Sequence, residues 1–381
     1  MDVNRASVAA APVSPSTASP SLFIGTFGVV FALIAFFLVF DTFVARIDTD
    51  EAQSRALSSF KAGTRFFDGG KFDDAAEQFS TAAAMDRENI TYKVALARVT
   101  LRQGDMETAQ TLLRSILQQD PTDGSANVLM ARVLVKQGQS EEGIAYYHRA
   151  VYGQWRTGEP GTSLQARFEL INLLAATNAK QALLAELLPI QDQSLEDLTL
   201  RDSIGYLFLE AGSPARAADV FHQVLQKDGK NVRANTGLGE ASLALGNYAG
   251  AETEFTRALR LSPRDTVIAF RRDVAQNLAE MDPSARGLRL SDRYQRARDL
   301  LMLTVQTVAR CPLDSVASAT AAVADSALGK SPGQSGDALD DFAQANLAIA
   351  QRLWKSRPAG CVSQFTPKER ALGLLQDALA R

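Results

Sequence analysis

The chain has 381 residues, enough for two or three domains. Its formal net charge of −3 gives no general attraction to nucleic acid, so no nucleic-acid partner is predicted. Only two cysteines occur, Cys311 and Cys361, which excludes a scaffold built on several disulfides. Alanine, leucine and glutamine are plentiful and long β-branched runs are absent, so the sequence predicts an all-α protein.

The amino-terminal end predicts a membrane anchor. Residues 1–20 are mostly Ala, Ser, Pro and Val, a composition typical of a disordered tail. Leu22–Phe40 is an apolar run in which Thr26 is the single polar residue. As a helix this run spans roughly 30 Å, the thickness of a bilayer's hydrocarbon core. We therefore expect a transmembrane helix within 21–44 that contacts the lipid bilayer through 22–40, with a cleaved signal peptide as the alternative.

The orientation of this anchor stays open. Arg46, Arg55 and Lys61 follow the apolar run, and basic residues favour the cytoplasmic side of a membrane. A long soluble domain, however, is translocated largely regardless of its charge. The two cysteines favour an oxidising compartment outside the cytoplasm.

Small and aromatic residues recur at fixed spacings in the middle of the chain. Gly239 is followed by Gly246 seven residues on and by Ala251 twelve residues on. Phe255 follows sixteen residues after Gly239, and Pro263 twenty-four. The small residues allow two antiparallel helices to approach closely, the phenylalanine fills the space beside them, and the proline ends the second helix. This series resembles the tetratricopeptide repeat, a helix–turn–helix unit of about 34 residues.

The same series occurs in other parts of the chain, with Gly205 to Phe221 and Gly63 to Phe79 as clear examples. We count six repeats over 56–265. The fourth, 164–197, is degenerate and follows extra residues near 158–163. Such a period predicts a superhelix of stacked hairpins with a concave groove.

The resemblance implies that the first helix of each repeat lines the groove. Residues one and five positions after the first small residue share a face of that helix. In the second and third repeats they are Arg98, Arg102, Arg132 and Lys136. In the fifth and sixth repeats they include Tyr206, Glu210 and Glu240. One hypothesis is that Arg98 and Arg132 clamp an acidic peptide or a carboxylate terminus; the alternative is a solvated helix face.

Residues 266–381 are predicted to form a helical cap and a further helical region. Thr266–Met281 has the spacing of a helix and is stopped by Asp282-Pro283. Ser291 is expected to cap the next helix, and Thr366 to open the last one with a capping box. Cys311 and Cys361 are a possible disulfide if their helices lie side by side; otherwise they are two independent buried thiols.

No catalytic site, metal site or cofactor is predicted. His148 and His222 occupy equivalent places in two repeats, which indicates a feature of the repeat. The chain resembles bacterial inner-membrane proteins that carry an anchor and a repeat domain and act in assembly of envelope or secretion complexes. The resemblance implies a membrane-anchored scaffold in the periplasm that binds a protein or a peptide. An acidic peptide is one candidate for this ligand. The alternatives are a cytoplasm-facing membrane adaptor and an enzyme with its site in 266–381.

Overall fold

The computed structural model describes residues 31, 35–36, 51–156, 161–191, 196–332, 336–358, 361 and 366–380. Regular structure in these residues is helical, apart from one isolated parallel bridge between Asp123 and Gln154. The predicted all-α fold is therefore confirmed. The predicted tail, 1–20, lies outside the described residues, as does most of the predicted anchor, 21–44. Among the residues described, no helix combines the length and the apolar character needed to cross a bilayer.

Helices follow one another with short connections. In chain order they are α1 (51–68), α2 (Phe72–Met85), α3 (Ile90–Gln103), α4 (Met106–Gln119), α5 (Gly124–Lys136), α6 (Ser140–Val151), α7 (Ser163–Ala176), α8 (Lys180–Gln191), α9 (Leu198–Glu210), α10 (Pro214–Lys227), α11 (Val232–Ala244), α12 (Tyr248–Leu261), α13 (Thr266–Met281), α14 (Leu290–Val308), α15 (Ser315–Leu328), α16 (Gly336–Ser356) and α17 (Pro367–Leu379). Odd- and even-numbered helices from α1 to α12 are the first and second helices of successive repeats. The chain divides into two compact units, Met1–Arg167 and Phe168–Arg381.

The turns inside the repeats share one backbone conformation. A residue with positive φ closes the first helix of each hairpin, and these residues are Gly70, Gly104, Gly138, Asn178, Gly212 and Gly246. A positive φ is easily adopted by glycine and tolerated by asparagine. Successive members are 34 residues apart, except that 40 residues separate Gly138 from Asn178. The degenerate fourth repeat therefore has the same turn conformation as the other repeats. The longer spacing before it corresponds to an insertion of six residues.

Phenylalanine rings lie directly against the glycines of their own hairpins. A Cβ added to Gly63 would lie 2.7 Å from Phe79, and one added to Gly239 would lie 2.7 Å from Phe255. Phe221 contacts both Gly205 of its own repeat and Gly237 of the next. Because any side chain at these glycines would overlap a buried ring, the spacing in the sequence is a packing requirement.

The carboxyl-terminal helices build a core on α13. Val274 and Leu278 of α13 are buried together with Leu301, Leu353 and Leu372 from three later helices. The predicted helix Thr266–Met281 and the Thr366 capping box are confirmed. The prediction for Ser291 is wrong: α14 begins at Leu290 with Arg289 at its N-cap, and no side chain caps it.

A disulfide joins the connections at the two ends of this core. Cys311 lies just after α14 and Cys361 between α16 and α17, with their Cα atoms 5.6 Å apart. Cys311 is buried, whereas Cys361 is half-buried. The bond closes a loop with a sequence separation of 50, and a loop of that size contributes about 4 kcal/mol in the chain-entropy account. The same region is held by a buried hydrogen bond from the Gln376 amide to the Thr304 hydroxyl, 3.1 Å long.

We expect both thiols to be protected in protein purified without reductant. Denatured, unreduced protein treated with a maleimide should gain no label, and reduced protein should gain two. Two labels before reduction would show that Cys311 and Cys361 are independent thiols. The Cys311→Ser variant serves as the control, because it leaves Cys361 free and should gain one label in both conditions.

Candidate protein-interaction surface

The basic side chains predicted to line the groove of the first unit divide into two groups. Arg98 and Arg132 are half-buried and line the same small pocket, together with Trp155 and Gln165. That pocket has a volume of about 10 Å³, the space of one water molecule. The expectation that Arg98 and Arg132 lie on one face agrees with this geometry. Trp155 therefore lies beside both arginines at this pocket.

The other two predicted cations lie at the exposed ends of their helices. The Arg102 guanidinium lies 5.3 Å from the ring centre of Phe72, an arrangement that favours a cation–π interaction. Lys136 is exposed at the end of α5. Neither side chain lines the pocket that Arg98 and Arg132 share.

In the second unit, a network of polar side chains joins α9 and α11. The Tyr206 hydroxyl donates a hydrogen bond of 3.0 Å to the Arg233 carbonyl, and the Arg233 guanidinium lies 4.9 Å from the centre of the Tyr206 ring. Burial raises the pKa of Tyr206 to about 12, and the negative charge of Glu240 adds to the effect. Tyr206 is therefore a neutral hydrogen-bond donor at physiological pH.

Glu240 extends this network to α13 by an ion pair with Arg271. Burial raises the pKa of Glu240, while the Arg271 charge opposes that shift. Glu210 lies apart from these groups, exposed at the last residue of α9. Of the three residues predicted here, Tyr206 and Glu240 are brought together, and Glu210 is at the edge.

A larger cavity begins beside Glu240. It has a volume of about 540 Å³ and lies between the end of α11, α13 and α17. Its walls include the apolar side chains Leu243, Tyr248, Leu278 and Leu374 and two carboxylates, Glu240 and Asp377. The volume is in the range of ligand sites, which are concave and mainly apolar with a few polar groups. We call this cavity the α11–α17 pocket.

Comparison with known protein families identifies the repeated units. A tetratricopeptide repeat model matches residues 60–124 and 203–266, and another matches 100–152. Residues 60–152 and 203–266 are tetratricopeptide repeats. The matched ranges leave out 153–202, which contains the insertion and the degenerate repeat. Stacked repeats of this kind form extended surfaces that are typical of protein-interaction scaffolds.

Several solved structures resemble this chain in fold. YrrB, a tetratricopeptide protein with an unusual peptide-binding site, is 18% identical, with 51% of this chain and 97% of that chain covered and a TM-score of 0.42. PilW, a type IV pilus biogenesis factor, is 15% identical, with 56% and 96% covered and a TM-score of 0.38. The TPR2AB domain of yeast Sti1, in a pHSP90 complex, is 16% identical, with 80% and 98% covered and a TM-score of 0.29. The comparison with curated proteins found no match.

Three residues of the second unit's network were not predicted from the sequence: Asp202, Arg233 and Arg271. Asp202 is one helical turn before Tyr206, so its place on the same face of α9 as Tyr206 follows from the period of the helix. Arg233 lies in the first turn of α11, and Arg271 lies in α13. Neither is one or five positions after the first small residue of a repeat, which are the positions that predicted Tyr206, Glu210 and Glu240. Leu374 and Asp377 belong to α17, and no local pattern indicates which repeat this helix contacts.

Asp202 is the one buried carboxylate of this network, with 2% of its surface exposed. Burial raises its pKa, and the nearby Asp228 charge adds to that shift. A hydrogen bond with the Asn231 side chain and the positive charge of Arg233 oppose it. Its Oδ1 atom has no hydrogen-bond partner among the described residues. The charged form is therefore disfavoured in the folded state.

We predict that Asp202→Asn makes the protein more stable at neutral pH, because the amide carries no charge that burial disfavours. Because the folded-state pKa is raised, the wild-type free energy of unfolding should fall as pH rises from the ordinary aspartate pKa through the raised value. The variant should lack this part of the decline. Urea denaturation followed by circular dichroism at several pH values measures both effects.

The control for this experiment is Asp219→Asn, which removes an exposed carboxylate from the next helix. It should leave the pH dependence unchanged. Equal pH profiles for wild type and Asp202→Asn would contradict the prediction.

Proposed function

We propose that this chain is a membrane-anchored scaffold that binds a partner protein on the groove side of α9, α11 and α13. The α11–α17 pocket is the observation that carries the proposal. Its apolar wall is suited to an apolar side chain of the partner, because burying such a side chain contributes about 1.5–3 kcal/mol. The Asp377 carboxylate in its wall favours a basic residue next to that side chain, whereas Glu240 is paired with Arg271.

The polar network beside the pocket supports a role in positioning the partner. Glu240 is paired with Arg271, and Tyr206 stays protonated over the physiological pH range, so its hydroxyl remains a donor. The first helices of a repeat array present such side chains at regular intervals, which suits an extended or helical segment. We propose binding rather than catalysis as the role of these groups.

Membrane attachment is supported by the sequence of the amino-terminal end. Leu22–Phe40 is long enough to span a bilayer. Phe31 and Phe36 are helical, and 75% and 62% of their surfaces are exposed to solvent. Large exposed aromatic side chains on an apolar helix favour burial in lipid.

The proposed location is the bacterial inner membrane, with the repeats in the periplasm. The disulfide between Cys311 and Cys361 supports an oxidising compartment, since such bonds are rare in the cytoplasm. The proposed role in assembly of an envelope or secretion complex rests on the resemblance of the whole arrangement, an anchor followed by repeats, to bacterial proteins of that type.

A substitution that fills the pocket tests the binding surface. Ala244 lines the pocket and is exposed at the end of α11, so Ala244→Arg should place a long cation there without disturbing the core. Arginine is a good helix former and is favourable at a helix carboxyl terminus, so we expect an unchanged melting temperature. Full-length tagged protein would be purified from detergent-solubilised membranes, and the partners that co-purify would be quantified by mass spectrometry.

The expected result is that Ala244→Arg loses at least nine-tenths of the wild-type partners, on the order of a tenfold weaker affinity. Ala322→Arg is the matched control, because Ala322 is also an exposed helical alanine of the second unit and lies on α15. It should keep the partners. Retention of all partners by Ala244→Arg would contradict the proposed surface.

A further inference from the structure

The first unit carries a second cavity, which is not on the side of the first helices. Its volume is about 350 Å³. It lies between α4 and α6, the second helices of two successive repeats, over the start of α5. The residues that line it are Arg114, Leu117, Gln118, Pro121, Asn127, Tyr146 and Arg149. We call it the α4–α6 pocket.

The described lining of this pocket carries a positive charge. Two of its lining residues are arginines, and none is an acid. Arg149 lies over the ring of Tyr146, with its guanidinium carbon 4.6 Å from the ring centre. Within the described part of the chain, neither Arg114 nor Arg149 forms an ion pair. Stacking on Tyr146 restrains one guanidinium while leaving its N–H groups available to a ligand.

The carboxylates nearest to the pocket in sequence are already paired. Asp120 and Asp123 flank Pro121, and both form ion pairs with Arg156, the former at 2.9 Å. The Asp123 side chain also caps α5 by accepting a hydrogen bond from the Ala126 N–H at 2.6 Å. These contacts direct both carboxylates to Arg156, so they do not neutralise Arg114 and Arg149.

The same surface recurs 108 residues later without the charge. The positions of Leu117, Gln118 and Asn127 hold the same residue types, as Leu225, Gln226 and Asn235. Arg149 corresponds to Arg257, but Tyr146 is replaced by Glu254, which forms an ion pair with Arg257 at 2.8 Å. Arg114 is replaced by His222, and Pro121 by Gly229. The repeat architecture therefore does not require two arginines without an acidic partner at these positions.

A buried amide forms one side of the pocket. Asn127 is fully buried, and its Nδ2 donates hydrogen bonds to the carbonyls of Pro121 and Asp123 at 3.0 Å and 2.8 Å. Its Oδ1 atom has no hydrogen-bond partner among the described residues. An acceptor beside two cations suits a ligand that offers a carboxylate together with an N–H group, as a peptide does.

We propose that the α4–α6 pocket binds an acidic peptide segment, with a carboxylate held by Arg114 and Arg149. Charge-assisted bonds between a guanidinium and a carboxylate are short and directional, and two arginines can hold one carboxylate from both sides. This site goes beyond the proposed function, because it uses the second helices of the first unit. It therefore gives the scaffold a second surface for a partner of the opposite charge.

Fluorescence anisotropy with a labelled synthetic peptide tests this site. The probe is a short Gly-Ser peptide that ends in three glutamates with a free carboxyl terminus, titrated with full-length protein in detergent at low ionic strength. A second probe carries a terminal amide, and a third has glutamine in place of each glutamate. The variant Arg114→Gln/Arg149→Gln removes both charges. The matched control, His222→Gln/Arg257→Gln, changes the equivalent positions of the later repeats.

We expect wild type and control to bind the glutamate peptide equally, and the Arg114→Gln/Arg149→Gln variant to bind at least tenfold more weakly. Loss of affinity with the amide probe would identify the chain terminus as the ligand, and retention would identify the acidic side chains; either supports the site. Equal binding of the glutamate and glutamine peptides by wild type would overturn it. An equal loss in variant and control, or complete displacement of the peptide by equimolar inorganic phosphate, would also overturn it. Matching thermal melts for the two double variants establish that the fold is intact.

Discussion

The contact between a phenylalanine ring and a glycine backbone is the constraint on which this structure depends. In the first, fifth and sixth repeats the ring lies where the glycine's side chain would otherwise be, so the ring of one helix packs directly against the backbone of the other. Phe221 extends the constraint by contacting Gly237 of the following hairpin. The two helices of each of these hairpins are thereby held together, and Phe221 also holds its hairpin against the next repeat. The stacking also sets the order in which α9, α11 and α13 present their side chains. The polar network and the α11–α17 pocket of the second unit depend on that order.

This constraint explains why the fold could be predicted from the sequence. A ring and a glycine that must touch across a hairpin are separated by a fixed number of residues. The positive-φ residue of the turn lies between them, also at a fixed number of residues from each. The spacing of these residues in the sequence therefore indicates which helices pack against each other. The positive-φ turn residue is kept even in the degenerate fourth repeat, at Asn178, where the small residues are lost.

The candidate surfaces could be predicted only in part, because they depend on contacts that are distant in sequence. The 34-residue repeat predicted that Arg98 and Arg132 occupy equivalent places on adjacent first helices, and likewise Tyr206 and Glu240. Nothing in the sequence indicated that Trp155 lines the same pocket as the two arginines, or that α17 forms a wall beside Glu240. The error at Ser291 has a local cause, since a nearby extended residue, Arg289, is the N-cap although its side chain does not cap the helix. Charge was informative only after the ion pairs were known: Arg257 and Arg149 are equivalent in sequence, yet one is paired with Glu254 and the other lines a cavity.

Amide hydrogen exchange on a Phe255→Ala variant tests the central claim most directly. If each hairpin is fixed mainly to its neighbours, exchange should accelerate in α11, α12 and α13, while α2 to α6 keep the wild-type protection. Phe270→Ala is the control, because that ring is 38% exposed and its loss should leave the protection of α11 and α12 unchanged. A uniform loss of protection over all helices in Phe255→Ala, or no loss in α11 and α12, would contradict the account.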